Sequence, residues 1–363
     1  MATDKVYTAI GMMSGTSLDG IDVALVRTDG MDFCELEAFE CFEYSVETRE
    51  IVQKAFGSTE PNAVTHAAEQ EITKTHIQAI KAFGQDADII GFHGQTILHD
   101  PARKISWQIG DPGQIAIETG IDVIGDMRQA DIQAGGQGAP LLPLCHRAFS
   151  QHIEKPIAIL NLGGVGNITF LGKERRDILA FDTGPANALM DDFIKSKTDK
   201  SYDLDGTLAS AGRIDKTLLQ KWLTNSYFET KPPKSLDRDE WNVSEIQNMN
   251  LEDAIATLAM FTVLSVQKAF NFLPLSPRTL YVAGGGRKNR FIMQKMNELF
   301  SFPVQLVEDI GWNGDALEAQ GFGYLAVRSL KGLALTLPTT TGISEPMSGG
   351  VLYKSRITNA KTA

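Results

Sequence analysis

The chain has 363 residues, 34 Lys and Arg against 45 Asp and Glu, and a formal charge of -11. That length exceeds one comfortable core and predicts two domains of ~150 to 200 residues. The acidic balance argues against a nucleic-acid partner, since no basic stripe is available to release counterions. Three cysteines, Cys34, Cys41 and Cys145, have neither CxxC spacing nor an even count, so a disulfide framework and a zinc site are not suggested and a reducing cytoplasm is expected. The N-terminus lacks a basic region followed by a long apolar one, and no apolar run is read as approaching the ~20 residues of a bilayer span, so no membrane partner is expected.

In chain order, Val6 to Met13 and Ile21 to Arg27 are apolar, β-prone runs flanking Ser14-Gly15-Thr16-Ser17-Leu18-Asp19-Gly20, which predicts a hairpin with a long tip of small residues. Such a tip exceeds what a two-residue turn needs and suits backbone N–H groups converging on phosphate; the plainer alternative is a sharp glycine turn. Ala63 to Phe83 has helical spacing, and Ile89 to Phe92 reads as a short strand ending at His93-Gly94-Gln95-Thr96. His93 and His99 lack a third ligand nearby, so hydrogen bonding is their default role.

Asp126-Met127-Arg128-Gln129-Ala130-Asp131 precedes the loop Gly135-Gly136-Gln137-Gly138. Arg128 either grips a substrate carboxylate or pairs with Asp131. Pro156 to Gly172 repeats the hairpin plan around Gly163-Gly164-Val165-Gly166-Asn167, a weak sign of two related lobes. Asp182 ends the strand Ile178 to Phe181, and Pro185 suits the first position of a following helix. The carboxylate is a candidate general base at a strand's carboxyl end, or else a helix cap.

Ser196 to Asn248 reads as polar and irregular, and Leu251 to Phe270 as strongly helical. Thr279 to Ala283 is a buried-type strand entering the third glycine turn, Gly284-Gly285-Gly286-Arg287-Lys288-Asn289, before a helix whose N-terminal amides could face a ligand. Asp315 to Leu330 is a further helix. No GxxxxGK[ST] is present; the GxGxxA at Gly321, Gly323 and Ala326 lies inside that helical pattern and reads as close helix packing. Hairpins that precede phosphate-type turns point to two α/β lobes with mixed sheets and a cleft. The lobes are expected at 1–150 and 151–363.

These blocks together resemble the anhydro-N-acetylmuramic acid kinases, members of the sugar kinase, Hsp70 and actin superfamily. The similarity is carried by GMMSGTSLDGID from Gly11, HGQT from His93, DMRQADIQAGGQGAPLLP from Asp126, NLGGVGN from Asn161, FDTGPAN from Phe181, AGGGRKN from Ala283 and GDALEA from Gly314. Against the family's pattern, Gly166 and Ala186 exchange an Ala and a Gly, and Met127 replaces a Phe. Met13 stands where the superfamily often has a magnesium-organising Asp.

The resemblance implies an actin/hexokinase-like (ribonuclease H-like) fold, ATP and Mg²⁺ as cofactors, a cytoplasmic homodimer, and a small sugar as partner. Residue by residue, it implies that Ser14, Gly15, Thr16, Ser17 and Asp19 hold the γ-phosphate. Gly163, Gly164, Gly166 and Asn167 take the other phosphates, and Gly284, Gly285, Gly286 and Asn289 the adenosine. Asp182 is the catalytic base, Arg128, Asp131 and Glu318 line the sugar pocket, and His93 and Gln95 join the sugar-binding set. The activity implied is hydrolytic opening of the 1,6-anhydro sugar with phosphorylation at O6. The alternatives are an ordinary amino-sugar kinase acting on a free hydroxyl, or a nucleotide-gated chaperone or sensor. Lys331 to Ala363 is read as too short for the peptide-binding domain that a chaperone would need.

Overall fold

A computed structural model describes residues 5–236 and 241–356. The chain opens with β1 (Tyr7–Ser14), β2 (Gly20–Thr28), β3 (Cys34–Glu43), α1 (Val46–Gln53), α2 (Ala63–Phe83), β4 (Ile89–Asp100), β5 (Ile105–Ile109), α3 (Pro112–Thr119), β6 (Val123–Gly125), α4 (Gln129–Gln133) and α5 (Pro143–Phe149). It continues through β7 (Ile157–Leu162), β8 (Val165–Leu171), β9 (Ile178–Pro185), α6 (Asn187–Lys197), α7 (Thr207–Ala211), α8 (Lys216–Trp222), α9 (Leu251–Ala269), β10 (Leu280–Ala283), α10 (Arg290–Leu299) and β11 (Val304–Leu306). Last come α11 (Leu317–Leu330) and β12 (Val351–Tyr353).

Two compact units result. The first comprises Met1–His152, Ala316–Pro338 and Ile343–Ala363, and the second Ile153–Asp315 with Thr339–Gly342. The expected second lobe of 151–363 is corrected accordingly: at Ala316 the chain returns to the first unit. The reason lies in α11, which is buried over nearly its whole length and docks on the first unit's sheet. A Cβ on Gly11 of β1 would meet Ala319 O and Gly323 N, and one on Gly91 of β4 would meet Phe322 O. The two strand glycines therefore let a helix backbone lie directly on the sheet. This is the close packing expected of the GxGxxA segment.

The first sheet runs β12-β6-β4-β1-β2-β3, with β5 added to the far part of β4. β1 pairs antiparallel with β2 and parallel with β4, as a mixed sheet requires. Gly11 faces α11, whereas its neighbours Ile10 and Met12 enter a core with Ile72, Ile77 and Ile80 of α2, the alternation of a strand covered on both faces. α2 spans the predicted residues and starts with a capping box at Asn62 and Thr65. β4 is longer than expected: it carries on through His93 and Gln95 to Asp100, because β5 supplies a partner for its second half.

The second sheet runs β11-β10-β7-β8-β9, again a hairpin joined to parallel strands. Two units of mixed α/β build are the fold class expected for the actin/hexokinase-like group. The stretch read as irregular, 196–248, holds α7, α8 and short 3₁₀ turns, with 237–240 outside the described residues. One expectation about membranes also needs correction. Leu251–Phe272 is 22 residues long with a mean hydropathy of 1.3, enough by length and composition for a span. Its apolar side chains Ile255, Leu258, Phe261 and Val266 are fully buried in the second unit's core with Phe181 and Trp222.

Candidate active site

In the first unit, the tip between β1 and β2 is built on Leu18, a buried residue with φ of 57°. The left-handed backbone costs an L-residue roughly 1 kcal/mol or more, and here the Leu18 side chain anchors the tip in the apolar core. Thr16, Ser17 and Asp19 stay exposed. A Cβ on Gly15 would find only Ser17 Oγ at 3.6 Å, so the tip leaves open space beside this glycine. Gly20, in contrast, is packed against Phe42 O. Ser14 is turned inward: its hydroxyl donates to Gln95 Oε1 at 2.5 Å and accepts from the Tyr44 hydroxyl at 2.8 Å. Ser14 and Gln95, expected to serve different ligands, thus form one buried cluster, and Tyr44 is a member that sequence reasoning missed.

His93, Arg128 and Asp131 are also brought together. Arg128 donates from Nε to His93 Nε2 at 3.0 Å and from Nη1 to Gly138 O at 2.6 Å. Asp131 Oδ1 accepts from Gly138 N–H at 2.7 Å, so arginine and aspartate hold the glycine loop from opposite peptide groups. The sequence alternatives for Arg128 omitted this partner. Asp126 begins the motif with φ of 53° and accepts from the Tyr353 hydroxyl on β12 at 2.6 Å. Glu318 lies half-buried in the first turn of α11.

Since His93 Nε2 accepts from an arginine, the ring is neutral and its proton sits on Nδ1, which donates to Gly94 O at 2.8 Å. Burial, reinforced by the Arg128 charge, holds His93 well below the usual histidine range. Burial also lowers His76 to about 4 and His146 to about 3. All three belong to the first unit. An unfolded chain binds protons at these histidines near pH ~6.5 while the folded chain does not. Their stabilisation is therefore complete above ~6.5 and is lost as pH falls from there toward each folded value, at about 1.4 kcal/mol per pH unit for each group. Urea unfolding between pH 7.5 and 5 is expected to show a falling midpoint. A midpoint that stays constant would contradict the neutral assignments.

In the second unit the other two glycine turns are stitched together. Leu162 O accepts from Asn187 Nδ2 at 2.8 Å, and Gly284, with φ of 75°, packs on Asn161 Oδ1 and Leu162 O. Gly286 packs on Leu162 and Asn187, and Gly166 on Thr183. Gly163, Gly164 and Gly285 meet nothing closer than 3.5 Å. The glycines therefore divide into those that allow the turns to pack and those that leave room beside them, and room beside bare backbone is what a phosphate chain requires. The N-terminus of α10 is capped by its own chain. Asn289 Oδ1 accepts from Ile292 N–H at 3.1 Å and Asn289 O from Met293 N–H, an ordinary helix cap. Arg287, buried, braces the turn through Glu308 at 2.8 Å, Asp315 at 3.1 Å and Gly284 O at 3.0 Å.

Asp182 lies within β9, which extends to Pro185, so Pro185 closes the strand and Asn187 opens α6. The longer strand has a local cause: Gly166 pairs with Gly184 and Asn167 with Asp182, leaving Thr183 as a bulge residue beside the glycine turn. Asp182 is only 9% exposed. Its Oδ2 accepts from Leu236 N–H at 2.8 Å, its N–H donates to Lys234 O at 3.0 Å, and its carbonyl accepts from the Tyr227 hydroxyl at 2.6 Å. None of these three residues carries a motif, and they come from the stretch read as irregular.

A carboxylate fixed beside a strand bulge, in the same mixed-sheet unit as two joined glycine turns, is an arrangement that suits a phosphate-handling enzyme such as a sugar kinase. A family model described as anhydro-N-acetylmuramic acid kinase matches residues 7–355. Relatives of that name are 46% identical in Rhizorhabdus wittichii, over 95% of this chain and 98% of theirs, and 43% identical in Rhodospirillum rubrum, over 97% and 95%. A third, from Paramagnetospirillum magneticum, is 45% identical over 94% and 98%. The chain belongs to the anhydro-N-acetylmuramic acid kinase family, and is an ATP-dependent sugar kinase.

Proposed function

We propose that this chain converts 1,6-anhydro-N-acetylmuramic acid, water and ATP into N-acetylmuramic acid 6-phosphate and ADP, with Asp182 as the general base. The observation that carries the reading is the Asp182 carboxylate, held by Leu236 N–H on the bulge of β9. O6 of the anhydro sugar is tied to C1 in an acetal bridge, so phosphorylation at O6 requires the C1–O6 bond to break. Asp182 orients a water toward C1 and takes its proton. The water oxygen bonds to C1 as the C1–O6 electron pair moves onto O6, which receives the γ-phosphoryl group. Attack opposite O6 inverts C1 through oxocarbenium character at the sugar carbon.

Arg128, Asp131, Glu318, His93 and Gln95 are assigned to sugar binding. In this reading the Arg128–His93 bond fixes the guanidinium plane, and Asp131 and Arg128 shape the 135–138 loop. Gly15, Gly163, Gly164 and Gly285 provide room for the phosphates and adenosine, and ATP supplies the phosphoryl group when bound. Among the described residues no three His, Cys, Asp or Glu are grouped to hold a metal ion. Mg²⁺, when bound with ATP, would neutralise the charge that develops on the transferred phosphoryl group. A cytoplasmic homodimer is proposed on the family resemblance, and the three free cysteines suit a reducing compartment.

Incubation with Mg-ATP and the anhydro sugar in ¹⁸O-labelled water, followed by mass spectrometry of a short quenched time course, tests the coupling. Label at C1 of a phosphorylated product is expected. Absence of reaction with this sugar, together with ADP release on a free amino sugar, would replace the reading by an ordinary kinase.

A further inference from the structure

Lys234 is 6% exposed, and its ammonium sits among aromatic rings: 4.2 Å from the Tyr227 centroid, 4.7 Å from Phe272 and 5.8 Å from Phe181. It donates a hydrogen bond to Tyr227 O at 2.8 Å. A buried ammonium with three N–H groups is costly unless π faces and anions compensate it, and an apolar side chain of similar length would fill an aromatic box without that cost. What the cation adds is charge beside β9, where Phe181 precedes Asp182. The backbone points the same way, since Lys234 O accepts from Asp182 N–H and Leu236 N–H, two residues on, binds the Asp182 carboxylate. The charge and both contacts to Asp182 belong to one short segment, 234–236, which the rings of Tyr227, Phe272 and Phe181 hold in place through the ammonium.

We propose that Lys234 is a positioning residue for the sugar-kinase reaction, whose caged ammonium and the segment it anchors keep the Asp182 carboxylate ionised and aimed. The inference rests on the reading of Asp182 as the base. Lys234 itself is not assigned a contact with substrate. Among the described residues, the ionisable groups around it are Asp182 on β9 and Tyr227 and Glu229 in the 226–229 turn, with Lys268 of α9 paired to Glu229 at 3.7 Å. The 270–272 turn contributes the Phe272 ring. Burial lowers Lys234 to about 8, against the opposing pull of Asp182 and Glu229, so it is charged throughout the acid side of a pH–rate profile. An adjacent positive charge lowers a carboxyl pKa, so removing it moves the acid limb of kcat upward.

The test compares kcat against pH for the full-length wild type, Lys234→Met, Lys234→Gln, Lys234→Arg and Asp182→Asn, with near-UV circular dichroism as the check on folding. Both neutral variants are expected to lose about tenfold in kcat, with the acid limb shifted up by about one pH unit and KM for ATP unchanged. Lys234→Arg is expected to keep the limb at its wild-type position. If Asp182→Asn is inactive while a folded neutral variant keeps an unmoved limb, the positioning role is overturned and the base assignment stands. If Asp182→Asn turns over normally, the base assignment fails and this proposal with it. If both neutral variants fail to fold while Lys234→Arg folds, Lys234 is structural only and the proposal is likewise overturned.

Discussion

Asp182→Asn is expected to lower kcat by about 10² to 10⁴-fold with ATP affinity nearly unchanged, the loss typical of a positioned general base. The substitution is close to isosteric, and Leu236 N–H demands an acceptor at the inner oxygen position. The asparagine carbonyl therefore takes that position and its NH₂ replaces the outer oxygen, presenting a donor where the water must give up a proton. The fold should survive, because the Asp182 main-chain bonds to Lys234 and Tyr227 do not depend on the carboxylate. Single-turnover and steady-state kinetics at saturating ATP would measure the effect. Turnover near the wild-type rate would remove Asp182 from the mechanism.

The second large effect contrasts two glycines four residues apart. Gly11→Ala places a methyl group against backbone atoms of α11, Ala319 O and Gly323 N, which cannot swing aside as a flexible side chain would. Helix and sheet must separate, and the expected cost is about 1 to 3 kcal/mol or more, read as a lower urea midpoint. Gly15→Ala meets only Ser17 Oγ at an ordinary distance and carries no left-handed φ, so its stability should match the wild type. If the tip cradles phosphate, that methyl group occupies the ligand's space, and KM for ATP should rise sharply. Equal stability for both variants would contradict the docking of α11. An unchanged KM in Gly15→Ala would remove the tip from nucleotide binding.

These glycines show where sequence reading stops. All three glycine turns stand out in the chain, because clustered small residues between apolar β-type runs are a local signal. What each glycine does is not local: Gly15 and Gly163 leave room, whereas Gly284 and Gly286 are required by Asn161, Leu162 and Asn187. The same holds for polar groups. The Ser14 hydroxyl is held by Gln95 and Tyr44, which lie 81 and 30 residues away.

Local pattern alone determined the two hairpins, the α2, α9 and α11 helices, the motif blocks and the family they resemble, because periodicity, turn chemistry and contiguous motifs are all written within short stretches. Only the tertiary structure decided that 316–338 returns to the first unit, that β4 runs on to Asp100, and that Lys234, Tyr227 and Leu236 surround Asp182. The β4 extension depends on a hairpin partner only 5 to 14 residues on, the Asp182 contacts on partners about 45 to 54 residues away and the return of α11 on a strand about 300 residues back, and a chain's local preferences carry no record of which backbone will supply the missing hydrogen bond or the missing apolar face.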